Sequence, residues 1–184
     1  MILNTTVVPR RQIFKAIFID GSFLFHCVQG SQTRIDYKKL KHLFLNAGDH
    51  LVSASYYTVL PNDYDMEDKH KNFIKILKKD VRVKVRSVPL LKVFESTPTS
   101  TAPRYSKGED ILLACDMVRG AYMNQYDTAI LVTGDGDFVP AVNCVQEAGK
   151  PVVVAAFHNS LSHALELEAS EVIYLDEHLD KIKL

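Results

Sequence analysis

Four aspartates stand where an α/β protein can do chemistry. Asp20 closes the apolar run Ile17-Phe18-Ile19, and Asp135 and Asp137 follow Ala129-Ile130-Leu131-Val132-Thr133-Gly134. Asp110 lies in the first turn of a helix that opens Lys107-Gly108-Glu109-Asp110. In open α/β sheets, ligands bind beyond the carboxyl ends of the strands. Clustered carboxylates raise one another's pKa values unless a cation joins them. A hard oxygen set without His or Cys suits Mg²⁺ or Mn²⁺ rather than zinc. Such ions lower the pKa of water and clamp a phosphodiester for in-line displacement.

Each acid also has a structural reading. Asp20 can make an Asx turn after its strand. Asp137 is placed to cap the helix that begins near Phe138-Val139-Pro140. Asp110 can serve the positive end of a helix dipole. A single cap explains one aspartate of Gly134-Asp135-Gly136-Asp137, not two. Asp116, six residues after Asp110, lies roughly 120° away round the helix. It is expected to orient neighbours or to make a structural hydrogen bond.

Stepwise along the chain, the elements that must position these residues alternate. Strands are expected at 15–20, 51–59, 81–88, 127–134, 150–157 and 172–175. Helices are expected at 37–48, 65–79, 107–122, 138–147 and 160–169, with a terminal helix after them. Residues 95–106, rich in Ser, Thr and Pro, read as a long loop. Strands alternating with helices mean a parallel sheet covered on both faces. Residues 1–14 are expected to form a short arm and 15–184 one domain.

The 184 residues are 47% hydrophobic, enough for a core and against wholesale disorder. No apolar run approaches the length of a membrane helix, and the start lacks a signal-peptide pattern. The three cysteines are far apart and outside any CxxC, which speaks against disulfides and for a cytoplasmic location. Cys115 and Cys144 are expected on apolar helix faces as small buried residues. The formal net charge is zero, yet residues 1–92 carry +8 and 93–184 carry −8. Segment 69–92 holds nine Lys/Arg against Asp80 alone. Such a surface suits a polyanion, or is a solvated helix followed by an edge strand blunted with cations.

Four segments, IFIDGS (17–22), KGEDILLACDM (107–117), YDTAILVTGDGDFVPAV (126–142) and EAGKPVVVAAF (147–157), together resemble the NYN domain family. This is the LabA-like branch of the PIN-like nuclease superfamily, and the resemblance runs from about residue 15 to 176. It implies a Rossmann-like three-layer α/β/α sandwich with a mainly parallel sheet. It also implies Mg²⁺- or Mn²⁺-dependent ribonuclease activity on single-stranded or structured RNA. By matching motif, Asp20, Asp110, Asp135 and Asp137 are the catalytic, metal-holding acids, and Asp116 matches a further acid. Ser22 and Thr133 fall where they could orient a carboxylate or phosphate oxygen. Lys107 is expected to contact phosphate or steady Asp110, and Tyr105 to stack on a base. The implied products are a 5′-phosphate and a 3′-hydroxyl.

Two positions depart from the family pattern: Phe23 stands where Asn is common, and Ser170 follows Ala169 where Asp is common. They favour the rival reading, a weak or inactive regulator or RNA-binding module, since fold alone does not fix function. A homodimer or a protein partner remains open. A haloacid dehalogenase-type phosphatase needs a second acid two residues after the first; that position is Ser22. No HExxH and no GxGxxG occurs, so zincin and dinucleotide sites lack support.

Overall fold

A computed structural model describes residues 12–29, 33–60, 68–79, 83–89, 91–93, 104–106 and 108–184. Strands β1 (Ile13–Asp20), β2 (Asp49–Leu60), β3 (Val83–Pro89), β6 (Thr128–Val132), β7 (Val152–Ala156) and β8 (Glu171–Tyr174) form one sheet. Its order is β3-β2-β1-β6-β7-β8, and every pairing is parallel. The short strands β4 (Leu91–Val93) and β5 (Arg104–Ser106) pair antiparallel, apart from this sheet.

Alternation in the central strands explains why both faces must be covered. Ile17 and Ile19 of β1, with Ile130 and Val132 of β6, point into one core. There they meet Leu24 of α1 (Gly21–Val28), Leu40 of α2 (Tyr37–Leu43) and Leu77 of α3 (Asp68–Lys79). Ala16, Phe18, Ala129 and Leu131 point the other way. They pack on Leu113 and Met117 of α4 (Glu109–Tyr122), Val142 and Val145 of α5 (Val139–Glu147) and Leu165 of α6 (His163–Glu168). Short α7 (Leu179–Ile182) returns Ile182 to the first core. The result is the expected α/β/α sandwich. No helix among the described residues is long and apolar enough to cross a membrane.

Several expected elements differ. The helix expected from 37 to 48 ends at Leu43, well before Gly48, which is at φ +94°. The loop expected over 95–106 is partly wrong, because 104–106 pairs with 91–93 as β5; residues 94–103 lie outside the described residues. The helix expected at 138 begins as a 3-10 turn, Gly136–Phe138, and the 160–169 helix is shorter, His163–Glu168. The helix expected from residue 65 is described from Asp68 and the strand expected from 81 from Val83. Cys115 is exposed, not buried: it lies on an outward stripe of α4 with exposed Ile111 and Tyr122. Most of the expected arm, residues 1–11, lies outside the described residues.

Topology fixes the place of the site. From β1 the chain steps outward to β2 and β3, then crosses back to β6 on the other side of β1. The carboxyl ends of β1 and β6 therefore flank the point where strand order reverses, where a crevice is left for ligands.

Candidate active site

Asp20 is the last residue of β1 and caps α1. Its Oδ1 accepts the Phe23 N–H at 2.9 Å, so the cap forces the chain to turn into the helix at the strand end. Its Oδ2 accepts the Thr133 hydroxyl at 2.9 Å. Asp20 is only 4% exposed. Burial pushes its carboxyl above the ordinary value; the Phe23 and Thr133 hydrogen bonds oppose this, and the nearby Glu109 and Asp135 charges add to it.

Thr133, fully buried after β6, also accepts the Asp135 N–H at 3.3 Å. The Asp135 Oδ1 then accepts the Asp137 N–H at 2.9 Å. Asp135, not Asp137, is thus the cap, and it caps the 3-10 turn before α5. Both aspartates are exposed. The turn is pinned from outside, because the Gly134 carbonyl accepts the Ser162 N–H at 2.8 Å.

The third wall is the start of α4. Gly108 makes no side-chain cap there, and Glu109 and Asp110 occupy the first turn. Glu109 is 1% exposed, and its Oε1 accepts the Ser22 hydroxyl at 3.0 Å. Its Oε2 is buried without a hydrogen-bond partner. Asp110 is half-buried beside it. Sequence reasoning passed over Glu109 because the motif spacing selects Asp110. A signal was present: Glu109, Leu113, Met117 and Ala121 recur every fourth residue, so Glu109 shares the buried stripe of α4.

Other expected residues fall as follows. Ser22 contacts Glu109, and Thr133 contacts Asp20, as above. Lys107 lies outside the described residues, and Tyr105 is placed in β5 opposite Lys92. Phe23, His26, Cys27, Asp135 and Ser160 line a cavity of about 320 Å³ beside Asp20. Burial pushes the Cys27 thiol up, which makes it a poor nucleophile. Ser170 lies at the amino-terminal end of β8, away from Asp20. Its hydroxyl accepts the N–H of Val152, the first residue of β7, at 3.1 Å.

Asp116 faces a different groove. It accepts the Tyr57 hydroxyl at 3.0 Å and the Arg86 Nε at 3.0 Å. The Arg86 pair is partly exposed and adds little in water. The Tyr57 bond matters more, because Tyr57 is 1% exposed. Replacing Asp116 by Ala is expected to lower stability by about 1–2 kcal/mol, the cost of stranding a buried hydroxyl. In a double-mutant cycle most of that loss should vanish when Tyr57 is already Phe. Equal losses in both backgrounds would show that the Tyr57 bond contributes nothing.

Among the described residues, no Lys, Arg or His forms an ion pair with Asp20, Glu109 or Asp135. Among the described residues no group of three or more His, Cys, Asp or Glu side chains stands close enough to hold a metal ion by itself. Three protein ligands are not required for Mg²⁺, which is held by one or two carboxylates with waters and substrate phosphates. Buried like charges and an orphaned carboxylate oxygen therefore fit a hard divalent ion.

A doubly wound parallel sheet with acids at its switch point defines a Rossmann-like α/β class with an acidic crevice. The NYN domain model matches residues 15–176, and the chain belongs to the NYN domain family. It is 26% identical over 163 residues to the "Low amplitude and bright protein LabA" of Synechococcus elongatus, covering 88% of this chain and 83% of that protein. An uncharacterized protein of Methanocaldococcus jannaschii is 36% identical over 85 residues, spanning 45% of this chain and 35% of the relative. In fold it is similar to a Vibrio parahaemolyticus protein of unknown function, with a TM-score of 0.74 at 23% identity. That likeness covers 96% of this chain and 99% of the other.

Proposed function

We propose that this protein is a metal-dependent ribonuclease, cytoplasmic, that hydrolyses RNA phosphodiester bonds at the Asp20 crevice. The observation that carries this reading is the buried Asp20 carboxylate at the switch point of an NYN-family sheet, beside Glu109 and Asp135 and, among the described residues, with no cation paired to it. Asp20, Asp110, Asp135 and Asp137 would hold Mg²⁺ or Mn²⁺ together with water and substrate phosphate. Bound there, the ion would supply Lewis acidity at the phosphate and a lowered pKa for the attacking water.

The chain's own groups do the rest. Thr133 fixes the Asp20 carboxylate through its hydroxyl. Exposed Asp135 and Asp137 stand where the RNA backbone arrives. Exposed Lys71, Lys75, Lys78 and Lys79 of α3, with Lys84 and Arg86 of β3, guide the strand by its phosphates. In this reading Lys107 contacts a phosphate and Tyr105 stacks on a base. Water attacks phosphorus, and the bond to the 3′-oxygen breaks, leaving a 5′-phosphate and a 3′-hydroxyl.

A second reading, a regulator or RNA-binding module with little turnover, is favoured by Phe23. Its ring lines the cavity beside Asp135, where the family motif commonly places Asn. The two readings separate on Asp135→Asn, which keeps the Asp137 N–H acceptor and so the turn. Metal-dependent cleavage should fall at least about 100-fold with the circular dichroism spectrum unchanged. Unchanged cleavage would remove Asp135 from the site. A wild-type protein that binds RNA without cutting it would favour the regulator.

A further inference from the structure

Glu109 carries a carboxylate that the fold does not use. Its residue is 1% exposed, so water does not solvate it. Oε1 takes one hydrogen bond, from Ser22, at 3.0 Å. Oε2 takes none. A structural carboxylate buried this deeply is normally satisfied at both oxygens or paired with a cation. Among the described residues no cation pairs with Glu109, and Glu109 and Asp135 both act on Asp20 as like charges.

The backbone explains why Glu109 is delivered to this spot. Leu113 and Met117 lie on the same stripe of α4 and are fully buried against the sheet. Packing them fixes the phase of the helix and turns Glu109 toward the end of β1. Asp110, one residue on, is rotated by about 100°. Ser22 then steadies one oxygen of Glu109 from the first turn of α1, which leaves the other oxygen, buried at the site, without a partner. A hard divalent ion is the ligand that relieves the repulsion and supplies the missing partner in one step.

We propose that Glu109 is a direct ligand of the divalent cation, supplied by α4 beside Asp20, and that Ser22 positions it. The proposal rests on the metal-site part of the reading above, but not on RNA cleavage.

The test is Mn²⁺ binding to the full chain without RNA, followed by titration calorimetry and by the Mn²⁺-induced rise in Tm. Glu109→Gln keeps the shape and removes the charge. It is expected to weaken Mn²⁺ binding at least tenfold and to abolish the rise in Tm, while Glu147→Gln, an exposed acid near the end of α5, binds as the wild type does. Ser22→Ala should weaken binding severalfold, and it carries the test if Glu109→Gln does not fold. Wild-type affinity in both Glu109→Gln and Ser22→Ala would overturn the proposal and leave Glu109 a structural acid. A wild-type chain that binds no Mn²⁺ would overturn it too. Mn²⁺ binding that needs Glu109 in a protein that cuts no RNA would uphold the ligand and refute the nuclease.

Discussion

Asp20→Asn should melt higher than the wild type in EDTA at neutral pH, by about 2–4 °C, and lose at least about 100-fold in metal-dependent cleavage. Asn caps a helix about as well as Asp, so the Phe23 hydrogen bond survives. What disappears is a buried negative charge next to Glu109 and Asp135, while the Thr133 hydroxyl, which donates to Oδ2 in the wild type, has to turn and accept from the new amide. The sign of the pH dependence follows from burial, which raises the folded-state pKa of Asp20. A carboxyl raised in this way is favoured in its neutral form, so its contribution to stability is full at low pH and is lost as pH rises through the folded value. The advantage of Asn over Asp should therefore be present at neutral pH and close as the solution is acidified through that value. Adding Mn²⁺ should stabilise the wild type and reverse the order of the two melting temperatures. A variant that melts lower than wild type in EDTA would mean that Asp20 is a structural cap whose charge costs nothing.

Gly134→Ala should be the most damaging small substitution at the site. A Cβ there would lie 1.9 Å from the backbone oxygen of Ser160 and 2.8 Å from the Phe23 ring. The Ser160 oxygen belongs to the main chain, so no rotamer change relieves the clash. The contact also sits beside the Ser162 N–H to Gly134 carbonyl bond that ties the two segments together. Overpacking of this kind costs about 3 kcal/mol, or a fall in Tm of about 6–12 °C. Asp135 follows directly, so its carboxylate moves with the turn, and a displacement of about 1 Å costs about 100-fold in rate. Gly136→Ala is the internal comparison. Its Cβ would meet the Ser162 hydroxyl at 2.6 Å, and that flexible group can rotate away. Thermal melts of the two variants check this: equal Tm values would contradict the tight seating of the 134 turn against residue 160.

The sheet was legible because both-face burial leaves a plain mark: Ile17-Phe18-Ile19 and Ala129-Ile130-Leu131-Val132 are uninterrupted apolar runs. Acids that follow such runs fall at strand ends, which is how Asp20 and Asp135 could be placed without coordinates. The pairing of 91–93 with 104–106 was not legible, because two three-residue strands carry no periodicity. The exposure of Cys115 was not legible, because apolar neighbours point to burial, whereas Ile111 and Tyr122 on its stripe of α4 are themselves exposed. Glu109 was missed for the opposite reason. A charged residue next to a motif aspartate reads as a solvated helix start, and only its phase with Leu113 and Met117 reveals that it faces inward.

The most direct measurement is cleavage of end-labelled single-stranded RNA by the wild-type chain in Mn²⁺, in Mg²⁺ and in EDTA, with Asp20→Asn alongside. The account predicts cleavage that needs the metal, leaves 5′-phosphate ends, and is lost in EDTA and in the variant. Cleavage that persists in EDTA, or that Asp20→Asn retains, would contradict a carboxylate-held metal as the source of the activity.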